Sequence, residues 1–102
     1  MIDNATGLDA ITKQPSESLV IDMPISNRMR TSDTISSVTS VESTRLSGSG
    51  TLTITNKTYS GTTVQARYAG GTDGDIYKIT SIVVTTGGDT VETDAVLYIK
   101  DS

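Results

Sequence analysis

Five carboxylates in the second half of the chain are the side chains best suited to bind a metal ion. Asp73 and Asp75 flank a glycine, and Asp89, Glu92 and Asp94 lie in and just after a second glycine turn. Calcium takes several oxygen ligands that converge on one point, and the loops of a β-sandwich could supply them. However, the spacing is not that of a 12-residue EF-hand loop, and Asp and Gly are ordinary turn residues. We therefore expect solvated turns without a metal or other cofactor, and a calcium site is the alternative.

Enzymatic chemistry lacks its usual residues in this chain. The absence of His and Cys removes the commonest general base, the usual zinc ligands and the thiol nucleophile. Serines are plentiful, but none lies in a G-x-S-x-G elbow and no histidine could activate one. The glycine corner at residues 70–74 lacks the lysine of a phosphate-binding loop. The sequence therefore predicts a protein that is not an enzyme.

The charge pattern argues against nucleic-acid and membrane partners. The 102 residues include 8 basic and 12 acidic side chains, a net charge of −4, and the two signs are mixed along the chain. No Lys/Arg cluster could displace counterions from a nucleic-acid backbone, and no apolar run is long enough to span a bilayer. Residues 1–4 have neither the basic nor the apolar region of a secretory signal. We expect one domain, made in a cytoplasm and without disulfides.

Short alternating segments rich in Thr, Val and Ile predict an all-β fold. Residues 1–14 show no sustained period and are predicted to form a flexible N-terminal arm, which leaves residues 15–102 as the folded domain. We predict a flexible corner at residues 46–50, a turn at 56–61 and a hairpin at 87–88. The predicted strands cover residues 17–23, 34–41 (with a possible bulge), 51–55, 62–68, a segment beginning at 77, and 91–100.

Tyr77 begins a strand directly after an acidic glycine corner that includes Gly74 and Asp75. This is the pattern of a tyrosine corner, in which the ring packs in the core and the hydroxyl bonds to upstream backbone. We therefore expect Tyr77 to be buried and its hydroxyl to bond to backbone near the preceding loop. Together with the strand spacing, the corner predicts an immunoglobulin-like Greek-key β-sandwich of about seven strands.

Four apolar side chains fall on the face of the last two strands that is predicted to point away from the core. They are Ile82, Val84, Val96 and Tyr98. An exposed apolar patch of this kind marks a protein–protein contact surface, so these residues are the candidate interface. The alternative is that the N-terminal arm covers this face of the sheet.

Six short motifs distributed over residues 13–101 carry a family resemblance. They are Lys13-Gln14-Pro15, Asp33-Thr34-Ile35, Ser60-Gly61-Thr62-Thr63-Val64, Gly70-Gly71-Thr72-Asp73-Gly74-Asp75-Ile76-Tyr77, Val83-Val84-Thr85-Thr86-Gly87-Gly88 and Lys100-Asp101. With these motifs the chain resembles a family of small structural proteins of tailed bacteriophages, the fibre–tail adaptor or neck proteins. The motifs determine the fold and supply no catalytic residues.

The resemblance implies a non-enzymatic structural protein of the virion, synthesised in the cytoplasm of the host bacterium. It implies an adaptor that links the neck or tail to fibres by contacts with other virion proteins of the neck, tail, fibre or capsid. Multiple symmetric copies would repeat one interface, so that a modest affinity per copy is amplified. The alternatives are a capsid decoration protein and a carbohydrate-binding β-sandwich module, which would need exposed aromatic side chains.

Overall fold

The computed structural model describes residues 9–101, and its secondary structure is almost entirely β. A short 3₁₀ turn at Ser26–Arg28 is the one helical element in that range. The described residues contain no helix long and apolar enough to cross a membrane. The strands are β1 Asp9–Lys13, β2 Ser18–Pro24, β3 Ile35–Ser47, β4 Leu52–Ser60, β5 Thr63–Gly70, β6 Ile76–Thr85 and β7 Thr90–Ile99. The all-β prediction is therefore confirmed.

The strands form two sheets that face each other. One sheet has the order β1-β7-β6-β3 and the other has the order β2-β5-β4. In immunoglobulin-like domains the second, fourth and fifth strands share one sheet, and the third, sixth and seventh share the other. The order found here is that arrangement, with β1 added in parallel to β7. The predicted seven-stranded sandwich is confirmed.

The core lies between the sheets and is built from the alternating positions of their strands. In β5 the buried residues are Val64, Ala66 and Tyr68, and each is 1% exposed. Their spacing follows the two-residue period by which a strand places every second side chain on one face. The opposing sheet contributes the buried apolar residues Ile35, Val41, Tyr77, Ile79, Val83, Val91, Ala95, Leu97 and Ile99. Most of these positions are readable from the alternation in the sequence.

Strands β3 and β4 differ from the prediction because both continue further than their alternation suggests. Residues 46 and 47 belong to β3, and residues 56–60, predicted as a turn, belong to β4. A register shift between Thr55 and Thr58 and the positive φ of Asn56 (55°) let β4 bend and stay paired with β5. The possible bulge in residues 34–41 is confirmed by register shifts between Ile35/Ser37 and Val38/Ser40.

The N-terminal arm also differs from the prediction over its last residues. Asp9–Lys13 form β1, which pairs in parallel with β7 from Ala95 to Ile99. Lys13 is 1% exposed, and its Nζ donates to the carbonyl oxygens of Gln14 at 2.6 Å and Pro15 at 3.4 Å. Burial lowers the pKa of the Lys13 ammonium. The prediction of a flexible arm is therefore wrong for residues 9–13, and its residues 1–8 lie outside the described part of the chain.

Candidate functional site

Asp75 is the centre of a hydrogen-bonded corner at one end of the sandwich. Asp75 is 1% exposed, and its carboxylate accepts four hydrogen bonds. Oδ1 accepts the backbone N–H of Ser49 at 3.0 Å, and Oδ2 accepts those of Gly50 at 3.1 Å and Thr72 at 2.9 Å. Oδ2 also accepts the Tyr77 hydroxyl at 2.7 Å. The five residues, called here the Asp75 corner, tie the β3–β4 turn to the β5–β6 turn and to the start of β6.

The predicted tyrosine corner is present in a different form. Tyr77 is buried, with 2% exposed, but its hydroxyl donates to the Asp75 side chain and not to a backbone carbonyl. The link to upstream backbone therefore runs through the carboxylate. Gly74 lies outside this network, with φ +93° and its N–H donated to the Ile99 carbonyl at 2.8 Å. Gly74 therefore supplies the positive φ that the β5–β6 turn requires.

The electrostatics of the Asp75 corner favour a carboxylate anion facing a neutral phenol. Burial by itself raises the pKa of Asp75, but the hydrogen bonds from Thr72, Tyr77, Ser49 and Gly50 outweigh it and leave that pKa below its ordinary value. Burial and the hydrogen bond to Asp75 raise the pKa of Tyr77 to about 12. At neutral pH the corner is therefore a stable charge-assisted network with no group near its titration point.

Glycines in the β3–β4 turn make room for the buried carboxylate. Gly48 has φ +103°, and a Cβ built on it would overlap the Asp75 side chain. A Cβ on Gly50 would lie 2.7 Å from the Thr72 backbone nitrogen. This Gly-Ser-Gly segment belongs to the flexible corner predicted at residues 46–50, and that prediction does not include its role around the carboxylate. The signal it left was two glycines around one residue, opposite an acidic turn, because a carboxylate bonded to backbone N–H groups needs such close approach.

Three of the four remaining carboxylates each have a separate structural partner, and the fourth, Glu92, is exposed. Asp73 accepts the backbone N–H of Asp101 at 2.9 Å, and Asp94 accepts the Thr80 hydroxyl at 2.7 Å. Asp89 forms an exposed ion pair with Arg30 at 2.8 Å. Within residues 9–101 no three acidic side chains come together as a metal-binding group. The calcium alternative therefore has no support in the geometry of the described residues.

The candidate interface residues share one face but do not form an open apolar patch. Ile82 and Val84 lie on the same face of β6 as Ile76 and Lys78, whose partners in β7 are Tyr98 and Val96. The four candidate residues therefore share the outer face of β6 and β7. Val96 is 0% exposed, whereas Ile82, Val84 and Tyr98 are half-buried. The expectation that Val96 is available for contact is therefore wrong. Val96 lies between β1 and β6, paired with Ala10 on one side and Lys78 on the other, and alternation alone does not reveal this position inside the sheet.

The Asp75 corner predicts a loss of stability in acid. Because folding lowers the pKa of Asp75, its contribution is fully present above the unfolded pKa and disappears as the pH falls through the folded value. We expect the melting temperature of the wild-type chain to fall on acidification below about pH 4. In Asp75→Asn the melting temperature at neutral pH should be lower and its dependence on pH weaker. Parallel pH profiles for the two chains, measured by thermal unfolding, would contradict this role.

Comparison with known proteins places this architecture in a family. A family model described as podophage GP4 fiber-tail adaptor protein gp77 matches residues 13–98. The match begins at the last residue of β1 and reaches the penultimate residue of β7, so it includes β2–β6 and both turns of the Asp75 corner. No curated protein and no solved structure matches the chain. Because the matched segment is most of the sequence, the chain belongs to the Gp77 family of podophage fibre–tail adaptor proteins.

Proposed function

We propose that this chain is a structural adaptor of the virion that joins fibres to the neck or tail by protein–protein contacts and has no enzymatic activity. The observation that carries the proposal is the family match over residues 13–98, which includes nearly all of the described fold. The proposal also includes synthesis in the host bacterial cytoplasm and attachment in several symmetric copies. A repeated interface on a symmetric tail suits a small domain, because several weak contacts act together.

The chemistry of the described residues supports a structural role. The buried carboxylate Asp75 is saturated by hydrogen bonds that connect two turns. Asp73, Asp89 and Asp94 are each bonded to a residue of another segment. The Asp73 and Asp75 contacts fasten loops at one end of the sandwich, the Asp89–Arg30 pair lies at the β6–β7 turn, and Asp94 bonds across paired strands. Each of these carboxylates is therefore engaged in the fold, which supports a structural role.

Removal of the gene tests the proposal. We expect particles made without this chain to have filled heads and tails that lack fibres, as seen by electron microscopy, and to regain fibres when the wild-type gene is supplied. Mass spectrometry of purified wild-type particles should give a fixed ratio of this chain to the tail subunits. Mutant particles that retain fibres, or antibody labelling confined to the head surface, would contradict the adaptor role.

A further inference from the structure

The two open sides of the sandwich differ in how their edge strands are protected. On one side lie the edges β3 and β4. The pairing of β3 contains three register shifts, and that of β4 contains one. Lys57 Nζ donates to the Thr39 carbonyl at 3.3 Å, and the Tyr59 hydroxyl donates to the Ser36 carbonyl at 2.7 Å. Bulges, cations and occupied carbonyls are devices that prevent another strand from adding to an edge.

On the opposite side, the edge strand β2 is protected near its two ends: Arg67 Nη1 donates to the Ser18 carbonyl at 3.0 Å, and Pro24 is the last residue of the strand. The middle of the strand has no such protection among the described residues. Its seven residues pair with β5 without any register shift, from Ser18 to Pro24. The strand contains no lysine or arginine, whereas β3 carries Arg45 and β4 carries Lys57. Val20, in the middle of β2, is 55% exposed. A regular edge of this kind is a template for pairing with a further strand.

The hydrogen-bond pattern identifies the free backbone groups of β2. Ile25 donates its N–H to the carbonyl of Thr62 at 3.0 Å, and these two residues continue the register of the β2–β5 pair. Because bonded and non-bonded pairs alternate in an antiparallel ladder, Leu19, Ile21 and Met23 direct their N–H and C=O groups to β5. The corresponding groups of Val20 and Asp22 therefore point away from β5, towards the open side, where no strand of residues 9–101 lies.

The charge around these groups selects the partner. Asp22 is acidic and exposed, and its carboxylate accepts a hydrogen bond from the neutral Gln65 amide at 3.0 Å. Arg67, the cation of the neighbouring strand, is bonded to Ser18 instead. The chain has a net charge of −4, so a second copy would be repelled and a basic segment would be attracted. An added strand would also cover Leu19 and Ile21, which are half-buried at the edge of the core. Its inward positions should therefore be apolar, and its outward positions should carry Lys or Arg.

We infer that β2 is the docking strand of this adaptor and that an extended basic segment of another virion protein adds to it as a further β-strand. The inference rests on the proposed function and names the surface and the partner chemistry that this function uses. Backbone hydrogen bonds to Val20 and Asp22 supply the affinity, and Asp22 selects for positive charge.

Val20→Pro tests the inference, because it removes an N–H from the open edge and leaves the bonds to β5 in place. Val20→Thr is the matched control, since it keeps that N–H and the preference for a strand. In phage carrying each variant, we expect Val20→Pro to reduce the copies per particle at least about tenfold, the effect of 1.4 kcal/mol, while Val20→Thr stays near wild type. Equal incorporation of both variants, measured by mass spectrometry, would overturn the inference. Absence of the wild-type chain from particles would instead overturn the proposed function.

Substitutions of Asp22 test the predicted positive charge of the partner strand. Asp22→Lys should reduce incorporation by repelling a basic strand, and Asp22→Asn should reduce it less. Incorporation of Asp22→Lys at the wild-type level would overturn the assignment of a basic partner.

Amide hydrogen exchange on the wild-type chain decides the matter even if Val20→Pro does not fold. In the free protein the amides of Val20 and Asp22 should exchange fast, while Ile21, bonded to β5, is protected. In purified particles the peptide spanning β2 should gain protection that corresponds to the two edge amides. Unchanged exchange in particles would overturn the inference. Protection already present in the free protein would also overturn it, because the chain itself or a second copy would then occupy the edge.

Discussion

Tyr77→Ala is expected to lower the free energy of unfolding by about 3–5 kcal/mol, the usual effect of truncating a buried aromatic residue. The ring is 2% exposed and belongs to the core between the sheets. Its hydroxyl is also one of four donors to Asp75. The substitution therefore leaves a cavity in the core and removes one hydrogen bond from a buried carboxylate, and both effects act in the same direction.

Two other tyrosine variants separate these effects. Tyr77→Phe keeps the ring and removes the hydroxyl, so it should cost about 1 kcal/mol. Tyr59→Ala is the matched exposed control, because the Tyr59 side chain is 40% exposed. Like that of Tyr77, the Tyr59 hydroxyl donates a hydrogen bond, in this case to the Ser36 carbonyl at 2.7 Å. Urea unfolding should rank the losses Tyr77→Ala first, with the other two well below it. Equal, small losses for both alanine variants would show that the Tyr77 ring does not support the core.

The β6–β7 hairpin could be predicted from sequence because two independent local signals agree there. Tyr77, Ile79 and Val83 keep the two-residue period of one buried face, and Gly87-Gly88 supplies a turn. The structure has β6 over Ile76–Thr85 and β7 over Thr90–Ile99, in continuous register. Both strands and the turn between them could be predicted because each is specified by residues that are close together in the sequence.

The features that sequence reasoning missed depend on residues far apart in the chain. β1 is a five-residue strand that exists through its pairing with β7, more than 80 residues away, and five residues are too few for a reliable period. The acceptor of the Tyr77 hydroxyl is two residues away, yet Asp75 is held in place by Ser49 and Gly50. Composition alone could not distinguish this buried aspartate from an exposed turn aspartate such as Asp73.

Gly48→Ala should destabilise the domain much more than Gly74→Ala, although both glycines have a positive φ. The angles are +103° at Gly48 and +93° at Gly74, so each alanine pays a similar backbone strain of about 1–3 kcal/mol. The surroundings differ, because a Cβ at Gly74 meets no atom within 4 Å, whereas one at Gly48 overlaps the carboxylate of Asp75. Gly48→Ala must therefore also displace Asp75 from its backbone donors. We expect its melting temperature to lie more than about 5 °C below that of Gly74→Ala.

A double-mutant cycle assigns the difference to the Asp75 corner. In an Asp75→Ala background the carboxylate is absent, so the added methyl group at position 48 meets less obstruction and its cost should fall towards that of Gly74→Ala. Part of the difference between the two glycine substitutions should remain, because a Cβ at Gly48 also lies 2.9 Å from the Cα of residue 75, which the alanine keeps. The measurement is thermal unfolding of the four chains of the cycle together with the two Gly74→Ala chains. If Gly48→Ala costs the same with and without the Asp75 carboxylate, the β3–β4 turn is not held by that carboxylate, and the buried aspartate would have to stabilise the sandwich through Thr72 and Tyr77 alone.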